Sequence, residues 1–412
     1  MKVFQNYLKK QALFPSFIES HPKSELDLII VIPAYKERET IVSCLQSIQE
    51  NSLSNYMVEL IVVVNCRGDD DPSIKQSSKE TVILVQQEKE RNSNTNLDIH
   101  CIEVQFKNKK KGGVGLARKV GMDEAIRRFD MLKTAGLIAC LDADCSVESD
   151  YCEKIIHGFS INEKKAAASI YFEHPLEAIH PEHITQYELH LRYFIDIQRE
   201  IGLPFAYHTV GSSMAVRAEA YCKMGGMNVR KAGEDFYFLQ KFIAVESCFE
   251  INDTTVYPSG RNSDRVPFGT GRAVSELEVS KVYHTYNLAS FYRLEPFIQL
   301  VKSYDLDKIY KGYKQLDSSL VSFLEKESFE EEMHSIFQHT TQKSTYLKRF
   351  FQWFNAFRFM KCIHHMRDAS FPVRPVEKEV EIYLHKNYNI EKTSMQEQLI
   401  YLRDSQRTSS WA

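Results

Sequence analysis

The sequence predicts an α/β fold with a mainly parallel central sheet, followed by a helical C-terminal region. Leu26 to Pro33 (LDLIIVIP) and Val58 to Asn65 (VELIVVVN) are near-continuous apolar runs, as expected of strands buried on both faces of a parallel sheet. Segments with apolar residues at helical spacing lie between and after such runs, and strands alternating with helices indicate this class. From about Ser290 onward the chain reads as helical and rich in aromatic residues.

Taken in order, residues 1–25 read as a helical extension, and Pro33 stops the first strand. Thr40 to Gln49 places Ile41, Cys44, Leu45 and Ile48 on one helical face. Asp98 to Val104 is a shorter strand, and Val114 to Phe129 a helix opened by two glycines. Gly136 to Leu141 is a short buried strand. Ala166 to Phe172 reads as a strand and Ile184 to Ile201 as an amphipathic helix ending at Gly202. Tyr207 to Val216 reads as a strand with serines in its middle, Glu234 to Val245 as a helix, and Phe249 to Tyr257 as a strand. The expected division is an extension (1–25), an α/β domain (26–288) and a helical region (289–412). In that region the aromatics at 350, 351, 353, 354, 357 and 359 read as core between helices. Lys348, Arg349, Arg358, Lys361 and Arg367 beside them leave peripheral membrane contact open.

At 412 residues the chain can build a large core and more than one domain. With 43% hydrophobic and 26% charged residues it has the composition of a soluble globular protein. A net charge of −3 argues against a global nucleic-acid-binding surface. No apolar stretch is long enough to span a bilayer, and the N-terminus lacks an apolar signal core. The expectation is a cytoplasmic protein, with a peripheral place at the inner membrane face left open. Nine scattered cysteines without a Cys-x-x-Cys argue against a disulfide framework or structural zinc.

Four segments carry the chemistry. The first is Leu141-Asp142-Ala143-Asp144, directly after the buried run 136–141. A strand ending in two carboxylates delivers both to the C-terminal edge of the sheet, where ligands bind in open α/β folds. The two charges repel unless a cation lies between them. A hard divalent ion such as Mg²⁺ or Mn²⁺ suits oxygen donors shared with phosphates; two solvated loop aspartates is the plainer reading. The second is Val31-Ile-Pro33-Ala-Tyr35-Lys-Glu37, which puts an aromatic ring and a carboxylate at the same edge, or simply opens a helix. Lys107-Asn-Lys-Lys-Lys111-Gly-Gly-Val-Gly-Leu-Ala-Arg118 is a basic, glycine-rich entry to a helix, suited to a diphosphate, or else a solvated lysine loop. It is neither a Walker loop nor a dinucleotide fingerprint. The fourth is Gly225-Gly226 with Gly233-Glu234-Asp235, where two carboxylates precede a helix. They serve as helix-capping groups or as a general base.

In order and spacing these pieces resemble the family 2 glycosyltransferases with the GT-A fold. The matching residues are Pro33-Ala-Tyr-Lys-Glu37, the strand ending in Asn65, Gly115-Leu-Ala-Arg118 with Gly121, Asp142-Ala-Asp144, Gly211 with Met214-Ala-Val-Arg217, Gly225-Gly226 and Gly233-Glu-Asp235. The resemblance covers residues 26 to about 285. It implies a nucleotide-sugar donor, a UDP-sugar by preference, and a hydroxyl acceptor that is a carbohydrate, lipid-linked or a small molecule. Pro33, Tyr35, Glu37 and Asn65 would lie at the base and ribose, with Asn65 where many members have Asp. Lys111 and Arg118 would lie near the nucleotide, and Asp142 at the ribose and sugar. Asp144, with Asp142, would hold Mn²⁺ or Mg²⁺. Asp235 would be the base of an inverting reaction, with Glu234 in reserve.

One departure stands out. Many such enzymes supply a metal-binding histidine downstream of the base, and Tyr257 to Gly271 has none. His208 and His284 are remote substitutes. Arg261 and Arg265 can instead clamp a diphosphate or an anionic acceptor, in a segment whose Gly269 and Gly271 suggest a lid, or they belong to a surface loop whose arginines form ion pairs. Two rivals share the sheet: a nucleotidyltransferase, which would need a glycine-rich loop after the first strand, and a nucleotide-sugar-binding protein without turnover.

Overall fold

The structure, a computed structural model, describes residues 2–107, 112–177, 181–230, 232–261, 269–391 and 393–409. It divides into two compact units, one of residues 1–179, 209–272 and 406–412, the other of 180–208 and 273–405. These bounds differ from the expected breaks after 25 and 288, because residues 180–208 leave the α/β unit to join the later helices.

In chain order the first unit contains α1 (Lys2–Gln11), β1 (Leu26–Ala34), α2 (Ile41–Gln49), β2 (Met57–Arg67), α3 (Pro72–Arg91), β3 (Leu97–Phe106), α4 (Val114–Leu132), β4 (Leu137–Cys140), β5 (Ser146–Val147), α5 (Tyr151–Ile161) and β6 (Ala167–Phe172). After α6 (Pro181–Glu200) of the second unit come β7 (Met214–Arg217), α7 (Ala218–Lys223), α8 (Glu234–Ile243) and β8 (Cys248–Tyr257). The eight strands form one sheet in the order β3-β2-β1-β4-β7-β6-β8-β5. β3, β2, β1 and β4 are mutually parallel, so their C-terminal ends share one edge. β7 runs antiparallel to both β4 and β6.

The sequence accounts for the parallel half directly. Every residue of β1 from Leu28 to Ala34 is buried, as the unbroken apolar run requires. Pro33 does not stop the strand: it lies inside β1 opposite Val63. α4 presses onto this half through Gly121. A Cβ there would stand 2.4 Å from a Val31 methyl and 3.0 Å from one of Val63. Only glycine permits that approach, which fixes the N-terminal turns of α4 over the site edge.

The sequence reading differs from the structure elsewhere too. Of Tyr207 to Val216 only Met214 onward is strand; Gly211, Ser212 and Ser213 form a turn leading into it. Helices α3 and α5 have no counterpart in the sequence reading. The buried residues of α3 are Ser78, Thr81, Val85 and Glu88, mostly polar, so no apolar stripe marked it.

The second unit is helical among its described residues apart from a short ladder between His284–Thr285 and Arg374–Pro375. Phe350, Phe354 and Phe359 are fully buried there, so the aromatic stripe is largely core. All nine cysteines are free thiols. Among the described residues no helix is long and apolar enough to cross a membrane.

Candidate active site

Three strand ends frame the site. β4 runs out at Cys140, and the turn that follows carries Asp142 and Asp144 to the edge shared with the ends of β1 and β2. Two guanidinium groups then organise the carboxylates brought there.

Arg118, in the second turn of α4, is 3% exposed. Its Nη2 donates to Asp142 Oδ1 at 2.5 Å, and its Nη1 donates to Glu234 Oε1. These partners lie 24 and 116 residues away in sequence. Burial opposes the charge on Arg118, but Asp142 and Glu234 more than compensate and hold it firmly protonated. Gly211 is the wall behind this group. A Cβ there would lie 2.5 Å from both terminal nitrogens of Arg118.

Glu234 and Asp235 form the first turn of α8. Glu234 is buried and committed to Arg118. Asp235 is half-buried; its Oδ1 accepts from the backbone N–H of Phe236 at 2.7 Å, and the Gly211 N–H also donates to its carboxylate. Burial raises the pKa of Asp235 above the ordinary carboxylate range, with Arg118 opposing and Asp142 adding to the rise. Burial likewise raises that of Glu234, against the pull of Arg118.

Arg261 organises the outer pair. Its Nε and Nη2 donate to Asp144 Oδ2 at 3.0 and 2.9 Å, and Nη2 also donates to Glu37 Oε2. Burial raises the pKa of Asp144, Asp142 raises it further, and Arg261 opposes both. Glu37 in turn accepts from the Thr40 hydroxyl at 2.7 Å.

Tyr35 sits in a cluster the sequence reading missed. Its hydroxyl donates to Asp70 Oδ1 at 2.8 Å and accepts from Arg67 Nη2, while the Arg67 guanidinium stacks 4.6 Å from the centre of its ring. Asp70 also accepts from the Arg67 backbone N–H at 2.7 Å. Burial, then Asp70, pushes the Tyr35 hydroxyl up to about 12, so it remains a donor at neutral pH. The signal was available in Arg67-Gly-Asp-Asp70, a charged turn directly after a buried strand.

Asn65 is buried near the end of β2, and Pro33 is buried within β1. Lys111 and Arg265 lie outside the described residues. His208 and His284 belong to the second unit. Among the described residues no three His, Cys, Asp or Glu side chains converge to hold a metal ion by themselves.

A parallel half-sheet with an acidic turn at its edge, continued by a mixed half, is the kind of sheet the sequence leads one to expect. Residues 29–223 match the sequence model of glycosyl transferase family 2, so that segment is a family 2 glycosyltransferase domain. No curated protein sequence matches the chain. Among solved structures it is similar to Staphylococcus aureus TarS 1-349, at 14% identity and a TM-score of 0.39, over 70% of this chain and 92% of that one. A complex of the same TarS fragment with UDP-GlcNAc matches at 14% identity and a TM-score of 0.40, over 93% of this chain and 90% of that one. Glucosyl-3-phosphoglycerate synthase from Mycobacterium tuberculosis, in complex with Mn²⁺, UDP and glucosyl-3-phosphoglycerate, matches at 15% identity and a TM-score of 0.39, over 64% of this chain and 85% of that one.

Proposed function

We propose that this glycosyltransferase moves a sugar from a nucleotide-diphosphate donor, a UDP-sugar by preference, to a hydroxyl acceptor with inversion at C1. One observation supports the reading: Arg118 holds both Asp142 of the β4 turn and Glu234 at the head of α8, the residue next to Asp235. That pairing of the acidic turn with the head of α8 supports Asp235 as the base.

Asp235 takes the proton of the acceptor hydroxyl as its oxygen attacks C1. A pKa raised by burial strengthens it as a base. Glu234, held by Arg118, fixes the first turn of α8 and does not itself take the proton. Arg118 acts as the fixed counter-ion of Asp142 and Glu234. Asn65 and the Tyr35–Asp70–Arg67 cluster line the nucleotide side, where Asn65 can both donate and accept. Glu37 would accept from the ribose or base. Lys111 and Arg265 add positive charge for the diphosphate.

The donor chemistry fits a divalent ion. Asp142 and Asp144 offer hard carboxylate oxygens, while three protein ligands are lacking among the described residues, so diphosphate oxygens and water would complete the shell. Asp144, with Asp142, would hold Mn²⁺ or Mg²⁺, which when bound neutralises the departing nucleoside diphosphate.

The test is turnover of UDP-, GDP- and TDP-sugars with Mn²⁺, with and without simple hydroxyl acceptors, with the anomeric product followed by NMR. The reading expects one donor to be consumed, an inverted product, and loss of about 10²–10⁴-fold in rate in Asp235→Asn. Consumption of sugar phosphate plus nucleoside triphosphate would identify a nucleotidyltransferase instead. Donor binding without consumption would identify a binding protein.

A further inference from the structure

The two arginines of the site differ in a way that bears on how the donor enters. Arg118 is walled in by Gly211 and 3% exposed, so it is a permanent counter-ion. Arg261 has a side chain 27% exposed and reaches its partners from the segment after β8, 117 and 224 residues away in sequence. It spans Glu37 and Asp144, one at the proposed nucleotide position and the other at the proposed metal position. A guanidinium and a divalent cation on the same Asp144 oxygen repel each other. A metal ion arriving alone must therefore displace Arg261 and leave it beside its own charge. A diphosphate changes the balance, because its oxygens offer the displaced guanidinium a two-pronged partner.

We propose that Arg261 is an internal counter-cation which metal and nucleoside diphosphate replace together. In the donor-free chain it holds Asp144 and Glu37. When the diphosphate binds, Arg261 transfers from Asp144 to phosphate oxygens, and Asp144 is released to the metal. Metal and nucleotide then bind with positive coupling, each raising the affinity for the other by the same factor. The same device lets the chain hold two neighbouring carboxylates together before any ligand arrives. The inference rests on the reading of Asp144 as a metal ligand.

The test is Mn²⁺ titration of the full chain, following the free-ion signal by electron paramagnetic resonance, with and without UDP or GDP. Wild type should bind Mn²⁺ weakly alone and about 5–150-fold more tightly with the nucleotide. Arg261→Gln should bind Mn²⁺ alone several-fold more tightly than wild type, while the nucleotide enhancement shrinks. Arg261→Lys keeps the charge without the planar fork, so Mn²⁺ alone should bind as in wild type, with reduced enhancement. Arg261→Gln that folds, by its thermal transition, yet binds Mn²⁺ no more tightly than wild type overturns the proposal. Asp144→Asn separates the two levels. If it leaves Mn²⁺ binding unchanged with and without nucleotide, the metal-ligand reading itself fails. If it abolishes binding while Arg261→Gln has no effect, only the counter-cation inference fails.

Discussion

Gly211→Ala is a single methyl group placed where the site has no room. Its backbone does not require glycine on conformational grounds, so the effect is one of contact. The new Cβ would stand 2.5 Å from both terminal nitrogens of Arg118 and 2.6 Å from its Cζ. That guanidinium cannot yield freely, because one nitrogen is held by Asp142 and the other by Glu234. Overpacking a rigid site costs about 1–3 kcal/mol. If Arg118 is instead expelled, Glu234 is left buried without its partner, a loss of about 3–5 kcal/mol. For a unit of this size each kcal/mol moves Tm by about 2–4 °C. Thermal unfolding of Gly211→Ala should therefore show a transition lowered by at least about 2 °C. Arg118→Met should cost more, for the buried Glu234. In the double variant the methyl finds the space that Arg118 vacated, so the Gly211→Ala cost should vanish, a coupling of at least about 1 kcal/mol. An unchanged Tm in Gly211→Ala, or strictly additive effects, would refute the packing argument. Because the Gly211 N–H also donates to Asp235, transfer activity should fall with stability.

Other consequences can be checked on the same preparation. Burial raises the carboxyl pKa values of Asp144, Glu234 and Asp235 above their unfolded values, so folding takes up protons there. Their charged forms destabilise the fold above the raised values, and that penalty is relieved as pH falls toward the ordinary carboxylate range. Asp70 shifts downward despite its burial, held by Arg67 and Tyr35, so its contribution is present above the ordinary value and lost as pH falls through its folded pKa. Tm should accordingly rise on mild acidification before it falls, and Asp144→Asn should flatten the rise; a wild-type Tm that falls steadily below neutrality contradicts this. Asp70→Asn removes the charge that Arg67 pairs with and loosens Tyr35, so nucleotide affinity should weaken several-fold by calorimetry while Asp235-dependent chemistry persists. Tyr7→Phe removes a hydroxyl that donates to Asp123 at 2.7 Å and accepts from Lys119 at 2.7 Å. It leaves buried charges under-paired, and a Tm drop of about 2–8 °C should follow from a loss near 1–2 kcal/mol.

The parallel half of the fold was legible because burial on both faces leaves a plain mark: Leu26 to Pro33 and Val58 to Asn65 can hardly be anything but inner strands. The acidic turn was legible for the same reason, since a buried strand cannot end in two carboxylates without exposing them at an edge. α3 was not legible, because a helix lying on a sheet through Ser78, Thr81 and Glu88 has no apolar period. The turn at Gly211 to Ser213 read as strand because its residues fit either state, and only the approach of Arg118 decides it. Arg118 itself was anticipated near the nucleotide. Its described partners are the two carboxylates, which come from distant parts of the chain and which no local pattern can pair. Asp70 and Arg67 were missed for a similar reason: a charged turn after a strand is ordinary until Tyr35 is seen to lie on it.

The most direct measurement is calorimetric titration of UDP into the full chain with and without Mn²⁺, in wild type and in Asp144→Asn, with GDP and TDP as alternatives. The account predicts that one nucleoside diphosphate binds, that Mn²⁺ strengthens its binding, and that Asp144→Asn removes the metal-dependent part. Absence of binding by every nucleotide, or metal-dependent binding untouched by Asp144→Asn, would contradict the assignment of the donor site to this edge of the sheet.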